Sequence, residues 1–354
     1  MRHFHKPEEA TEMNITTIGI DLAKNVIQVH GVERSGKSVL KKSFKREQVV
    51  GYFANLTPCL IGMEACGSAH YWARKLQGLG HTVRLMAPQF VKPYVKTNKN
   101  DAADAEAICE AVSRPNMRFV PIKNAEQQAI LALHRGRQGF VKARTAQANQ
   151  IRGLLAEYGL TIPQGISHIA QRIPEILEDG ENGLPGIFRQ LIDRLGMHLK
   201  ELDRQVDELE AQIRIWHREN ASSKKLAEIP GIGPITASAM VASIGDAKSF
   251  ENGRQLAAWL GLVPRQHSSG GKQTLLGISK RGDSYLRTLL IHGARAVIRM
   301  AERKASDSRS WLVGVIGRRH KNVAAVALAN KNARIVWALL AHDREYTANY
   351  GLVA

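Results

Sequence analysis

Between Asn14 and Met86 the chain changes its hydrophobic rhythm, and that change limits the fold more than anything else in it. Ile15 to Asp21 and Val26 to His30 have strand length and strand composition, Arg34-Ser35-Gly36-Lys37 reads as a turn, and Ser38 to Phe44 supplies a third strand. A helix follows near Arg46–Asn55, then the apolar strand ending at Glu64, a helix over Ala69–Leu79 stopped by Gly80, and a strand over His81–Met86. Three hairpin-linked strands followed by alternating helices and strands are the order of an α/β ribonuclease-H-like fold.

Four acids stand out on this frame. Asp21 closes the apolar run Thr17-Ile18-Gly19-Ile20-Asp21, and Glu64 closes Cys59-Leu60-Ile61-Gly62-Met63-Glu64. Asp101 and Asp104 are three apart, so on a helix both face the same way. Carboxylates at strand ends and on one helix face can converge on a hard cation such as Mg²⁺, which prefers oxygen ligands. Clustered negative charge is costly unless a cation or a reaction uses it.

The rest of the chain is basic. Lys and Arg number 50 against 32 Asp and Glu, a net charge of +18, which points to a polyanionic partner. A length of 354 residues predicts two or more domains. No apolar run approaches the roughly 20 residues that span a bilayer, and the N-terminus lacks an apolar signal region, so no membrane role is expected. The 3 cysteines, at 59, 66 and 109, form no C-x-x-C pair and cannot all pair with one another. That disfavours a structural zinc site and fits a reducing, cytoplasmic setting.

Residues 1–13 are expected to be a disordered tail and 14–120 the α/β domain. Residues 121–222 should be a basic helical linker with a coiled coil, and 223–354 a mostly helical C-terminal domain. Asp101–Val112 reads as one helix, and Ala125–Tyr158 as one or two helices made basic by Arg135, Arg137, Lys142, Arg144 and Arg152. From Ile192 the apolar residues step through Leu195, Leu199, Leu202, Val206, Leu209 and Ile213 to Trp216, a heptad seam. Such a seam serves a helix packed on its own core, or a coiled coil within the chain or between subunits. Gly196 weakens its first turn.

Beyond a linker or helix start at Ala221–Lys225, Leu226 to Ala237 contains Pro230-Gly231-Ile232-Gly233-Pro234, which resembles a helix-hairpin-helix. There Gly231 and Gly233 would present backbone N–H groups and a helix N-terminus to phosphate, though a tight turn between packed helices needs the same residues. A polar, glycine-rich loop runs from Gly261 to Lys272 and carries Arg265, Ser268 and Ser269. Gly277 to Asp283 follows with Lys280 and Arg281, then a helix with Arg287 and Arg295. Glycine permits close backbone approach and arginine bidentate bonding to phosphate. A serine oxygen there could also attack a phosphodiester. Spacing alone does not single out Ser269, and a simple phosphate-binding turn remains open.

Taken together, these segments resemble the DEDD-type bacterial insertion-sequence transposases of the IS-one-hundred-ten family, related to the Piv and MooV invertases. The resemblance runs through nearly the whole chain from Asn14. Gly19 to Lys24, Met63 to Gly67 and Asn98 to Ala105 match that family's RuvC-like DEDD domain. Ile229 to Ala237, Gly261 to Gly270 and Gly277 to Arg287 match its C-terminal transposase domain. The resemblance implies a recombinase that cuts and rejoins DNA with a serine nucleophile, at Ser269 by position and Ser268 one residue off. It implies Mg²⁺ held by Asp21, Glu64, Asp101 and Asp104. It also implies a non-coding guide RNA that pairs with element-end and target DNA, so that the protein reads mostly backbone and shape, with the basic central helices and their Arg135, Arg137 and Arg144 as the natural place for that RNA or for DNA phosphates. A homodimer or homotetramer at the bacterial nucleoid is expected, with the serine of one subunit facing the acids of another and the heptad helix joining them.

Two other readings compete. A metal-dependent nuclease or Holliday-junction resolvase would use the same acids with water as nucleophile. A non-enzymatic DNA-binding protein would leave the acids unexplained. His30, His70 and His134 read as surface or core histidines rather than ligands. Lys92, Lys96 and Lys99 could track DNA or form a solvated face. Arg318, Arg319, His320 and Lys321 form a candidate phosphate patch.

Overall fold

The computed structural model describes residues 14–96, 100–270, 272–303 and 311–347; the expected loose tail 1–13 and Lys99 lie outside them. The chain divides into two compact units, 1–124 and 125–354.

In the first unit β1 (Ile15–Leu22), β2 (Val26–Glu33) and β3 (Ser38–Lys45) form an antiparallel meander. Helix α1 (Arg46–Ala54) leads to β4 (Leu60–Glu64), and α2 (Ala69–Gln77) leads to β5 (Thr82–Met86); β4 pairs in parallel with β1 and with β5. After α3 (Pro88–Val91) and α4 (Asp101–Val112), the short β6 (Phe119–Val120) completes a mixed sheet in the order β3-β2-β1-β4-β5-β6. Sequence patterning found the first five strands and missed β6, which has only two residues. Ile18, Ile20, Ile61 and Met63 share one sheet face, where they are buried with Phe53, Trp72 and Leu76. Helix α4 lies directly across β1 and β4. A Cβ on Gly19 would sit 2.2 Å from the Ala105 carbonyl oxygen, and one on Gly62 would sit 2.7 Å from Val112 Cβ.

In the second unit α5 (Ala125–Ala156) and α7 (Gly186–Glu219) are long antiparallel partners, with α6 (Ile166–Glu178) packed on α7. Ile192, Leu199, Leu202, Val206 and Ile213 of the heptad seam are buried within the chain. The seam therefore joins helices of one chain, which corrects the expectation that it joins subunits. Gly196 also has a packing reason: a Cβ there would meet Ile173 Cδ1 of α6 at 3.0 Å.

The remaining helices, α8 (Ala221–Ala227), α9 (Pro234–Ile244), α10 (Gly253–Trp259), α11 (Ser284–Arg303), α12 (Trp311–Arg318) and α13 (Lys321–Ala341), share one core, and the hairpin of β7 (Pro264–Ser269) and β8 (Lys272–Ile278) adds no residue to it. Met240, Leu256, Leu290, Leu328 and Val336 are among the residues that fill it. Helix α13 is long and apolar enough to cross a membrane by length and composition, contrary to the sequence expectation, and 44% of its most apolar window is buried inside the protein. The segment read as a glycine-rich loop is in fact a two-stranded ribbon. It escapes strand patterning because its residues alternate against no core and are exposed almost throughout.

Candidate active site

Asp21 and Glu64 stand at the C-terminal ends of the neighbouring parallel strands β1 and β4. Asp101 and Asp104 occupy the first turn of α4, where the helix dipole favours carboxylates and Asn100 caps the helix by accepting from the Ala102 N–H at 3.0 Å. One carboxylate oxygen each from Asp21, Asp101 and Asp104 lie within 4.8 Å of one another. Glu64 joins them electrostatically: burial first, then the charges of Asp21 and Asp104, push its carboxyl above the ordinary range. Three converging oxygens beside a fourth carboxylate that resists ionisation suit a hard divalent cation, whose charge would reverse that resistance.

Position 269, the expected nucleophile, lies in the second unit at the tip of the ribbon, where its backbone pairs with Lys272 next to Gly270 in a left-handed turn. Ser268 pairs with Gln273, and its hydroxyl accepts a hydrogen bond from Gln266 Nε2 at 2.9 Å. The ribbon's base is tightly clasped. A Cβ on Gly261 would fall 2.1 Å from the Arg281 carbonyl oxygen, and one on Gly282 would fall 1.8 Å from that of Trp259. The Arg287 guanidinium donates to the carbonyls of Leu260 and Arg281 at 3.0 and 3.2 Å, bracing that clasp. Arg287 thus serves the ribbon's geometry, whereas Arg265, Lys272, Lys280 and Arg281 are exposed.

Helices α8 and α9 flank a turn that ends at Gly233, with Pro234 opening α9. Gly231 (φ +89°) is pressed against α11, so that a Cβ on Gly293 would lie 1.8 Å from the Gly231 carbonyl oxygen. Asn332 anchors the same turn by donating to the Pro230 carbonyl at 2.9 Å. Packing accounts for Gly231, while Gly233 is exposed and a Cβ added there would meet nothing within 4 Å.

Among the basic residues of α5, Arg135 is exposed. Arg137 donates to Glu210 from Nε and Nη2 at 2.8 and 2.6 Å, and Arg144 donates to Asp203 at 2.7 Å. These two guanidiniums hold α5 to α7, a use their sequence neighbours did not reveal. Lys96 is likewise paired with Glu106 and Glu110, and Lys321 with Glu302. His30 and His134 are buried and His70 accepts from the Lys123 N–H. Sequence reasoning missed a cleft of about 650 Å³ in the first unit, lined by Arg74, Arg84, Phe119 and Lys123, in which Arg84 stacks over the Phe119 ring.

Comparison with known proteins places this geometry. A family model described as "Transposase IS116/IS110/IS902 family" matches residues 223–308, and a DEDD transposase model of the IS110 type, described as "Transposase", matches residues 18–160. The chain is 56% identical to a "Probable family 20 transposase" of Pseudomonas aeruginosa, over 94% of this chain and 99% of that protein. It is 45% identical to the "Transposase for insertion sequence element IS1111A" of Coxiella burnetii, over 96% and 94% of the two chains. It is 23% identical to the "Pilin gene-inverting protein" of Moraxella bovis, over 94% and 98%. A DEDD transposase domain implies a divalent metal, which the three converging aspartates fit. The chain belongs to the IS110-type family of transposases, enzymes that cut and rejoin DNA.

Proposed function

We propose that this transposase cuts and rejoins DNA with Ser269 as nucleophile, next to Mg²⁺ held by Asp21, Glu64, Asp101 and Asp104. The observation that carries the metal half is the meeting of three aspartate oxygens within 4.8 Å, with Glu64 coupled to two of those residues. The sheet order, with an antiparallel meander followed by parallel strands and acids at the strand ends, supports a ribonuclease-H-like fold for the first unit.

In this reading the Ser269 oxygen attacks a DNA phosphorus and forms a serine–phosphate ester, while the bond to the leaving deoxyribose oxygen breaks and that oxygen takes a proton. Reversal with a second strand end rejoins the DNA and frees the serine. Mg²⁺, when bound, supplies positive charge for the attacking and leaving oxygens. Exposed Arg265, Lys272, Lys280 and Arg281 hold phosphates beside the serine, Gly233 leaves backbone N–H groups open to another, and Arg135 extends the basic surface along α5. The acids and the serine sit on different units, so the working site is assembled by docking, in our reading between subunits of a homodimer or homotetramer at the nucleoid. A non-coding RNA of the element supplies sequence choice by base pairing.

The test is a denaturing gel of protein, element-end DNA, Mg²⁺ and candidate RNA. A covalent protein–DNA band that disappears in Ser269→Ala is expected. Strand cleavage that survives Ser269→Ala would replace the serine with water and make the protein a metal-dependent nuclease.

A further inference from the structure

We infer that Arg46 is a positioning residue for the acids, a strap that ties the loop after Asp21 to the loop after Glu64. The inference rests on the reading of those acids as cation ligands. The pairing of β1 with β4 ends at Ile20 and Met63, one residue short of each acid. Past that point Asp21 is paired only with β2 and Glu64 only with β5, so no ladder bond joins the two acids directly.

Arg46, the first residue of α1, occupies that place. Its Nη1 donates to the carbonyls of Ala23 and Lys24, at 3.1 and 3.0 Å, in the turn that follows Asp21. Its Nη2 donates to Ser68 Oγ at 3.0 Å, in the loop that follows Glu64. The guanidinium carbon lies 5.6 Å from the ring centroid of Trp72, a buried residue of α2, which holds the fork in plane.

Ser68 shows the cost of this arrangement. It precedes α2 at the N-cap, where a serine ordinarily bonds a backbone N–H of the first turn. Here it makes no such bond and instead accepts from Arg46. It also sits at φ +67°, a conformation unusual for a residue with a side chain. A lysine could not replace the arginine, because one ammonium on a flexible stem lacks the planar fork that reaches two loops at once.

The experiment reads Mn²⁺ uptake by the full-length chain, from the electron paramagnetic resonance signal of free Mn²⁺, with circular dichroism to establish folding. Wild type is expected to take up Mn²⁺ and Asp21→Asn to lose it. Arg46→Lys should weaken uptake about 10-fold, as loss of a group that orients a ligand does at other metal sites. Ser68→Ala should weaken it less. The double variant Arg46→Ala/Ser68→Ala should be no weaker than Arg46→Ala, because both changes cut the same tie. If Arg46→Ala fails to fold, Arg46→Lys and Ser68→Ala carry the test. Wild-type uptake in the folded Arg46→Lys and Ser68→Ala variants, with Asp21→Asn inactive, overturns the strap alone. No uptake by wild type overturns both the strap and the metal reading.

Discussion

Gly19 of β1 and Gly62 of β4 are direct partners in the parallel ladder, and each stands two residues before a site acid. A two-residue step returns to the same face of a strand. The glycines therefore mark where α4 presses on the sheet, and the acids mark where its first turn arrives. Replacing either glycine pushes the helix that carries Asp101 and Asp104. Gly19→Ala meets backbone, the Ala105 oxygen at 2.2 Å, while Gly62→Ala meets the Val112 side chain at 2.7 Å. Overpacking of this kind costs about 1–3 kcal/mol, with Gly19→Ala at or above the upper end. Urea denaturation should rank Gly19→Ala below Gly62→Ala. Adding Val112→Ala should restore Gly62→Ala in part but leave Gly19→Ala unaided.

Glu64 gives the acid site a pH signature. Burial, then Asp21 and Asp104, raise its carboxyl above the ordinary value of 4.5. The folded state thus holds a proton that the unfolded chain has already released. Metal-free stability should accordingly fall as pH climbs from about 4.5 through the raised folded value. Glu64→Gln removes that loss, so its metal-free thermal midpoint near neutral pH should exceed that of wild type while its Mn²⁺ uptake drops. A lower midpoint for Glu64→Gln at pH 7 would contradict the proposed charge crowding.

The sequence made the acids legible because carboxylates closing apolar strands are conspicuous. It hid the glycines that seat them, since glycine in a strand reads equally as a bulge or a weak point. The serine ribbon was read as a loop because Gln266, Ser268, Gln273 and Thr274 face no core and carry no burial pattern. Arg137 and Arg144 looked like phosphate ligands because their acidic partners, Glu210 and Asp203, lie 73 and 59 residues away. Charge is visible in a sequence, but its neutralisation across a helix pair is not.

His134 offers a prediction of opposite sign in the second unit. Burial, then Arg137, lowers its pKa to about 4 from 6.5. Its Nδ1 lies 3.0 Å from the Tyr285 hydroxyl and its Nε2 lies 3.0 Å from Ser238 Oγ. The Ser238 hydroxyl is spent on the Pro234 carbonyl at 2.7 Å. Nε2–H therefore donates to Ser238, and Nδ1 accepts from Tyr285. Below pH 6.5 the unfolded chain gains a proton that the folded protein refuses, so this contribution is lost as pH falls from 6.5 towards 4. The loss is on the order of 3 kcal/mol at most. Denaturation at pH 5 and pH 7 should show a smaller difference in His134→Gln than in wild type, together with a lower stability at pH 7 from the broken bonds.

Arg137 and Arg265 should separate stability from nucleic-acid affinity. Arg137 is only 18% exposed at its side chain, bonds Glu210, and also reaches Tyr285. Arg137→Ala leaves Glu210 without that partner between α5 and α7, which should cost about 1–3 kcal/mol in urea denaturation. Its effect on DNA affinity should be small once measured on folded protein. Arg265 is exposed on β7 and, among the described residues, adds no such link. Arg265→Ala should leave the unfolding midpoint within about 0.5 kcal/mol of wild type. It should also lower DNA affinity and reduce the slope of log K against log salt by about 1 for each phosphate that is no longer neutralised. The reverse pattern, with Arg137→Ala stable but weak in binding, would return Arg137 to the phosphate-binding role its basic surroundings first suggested.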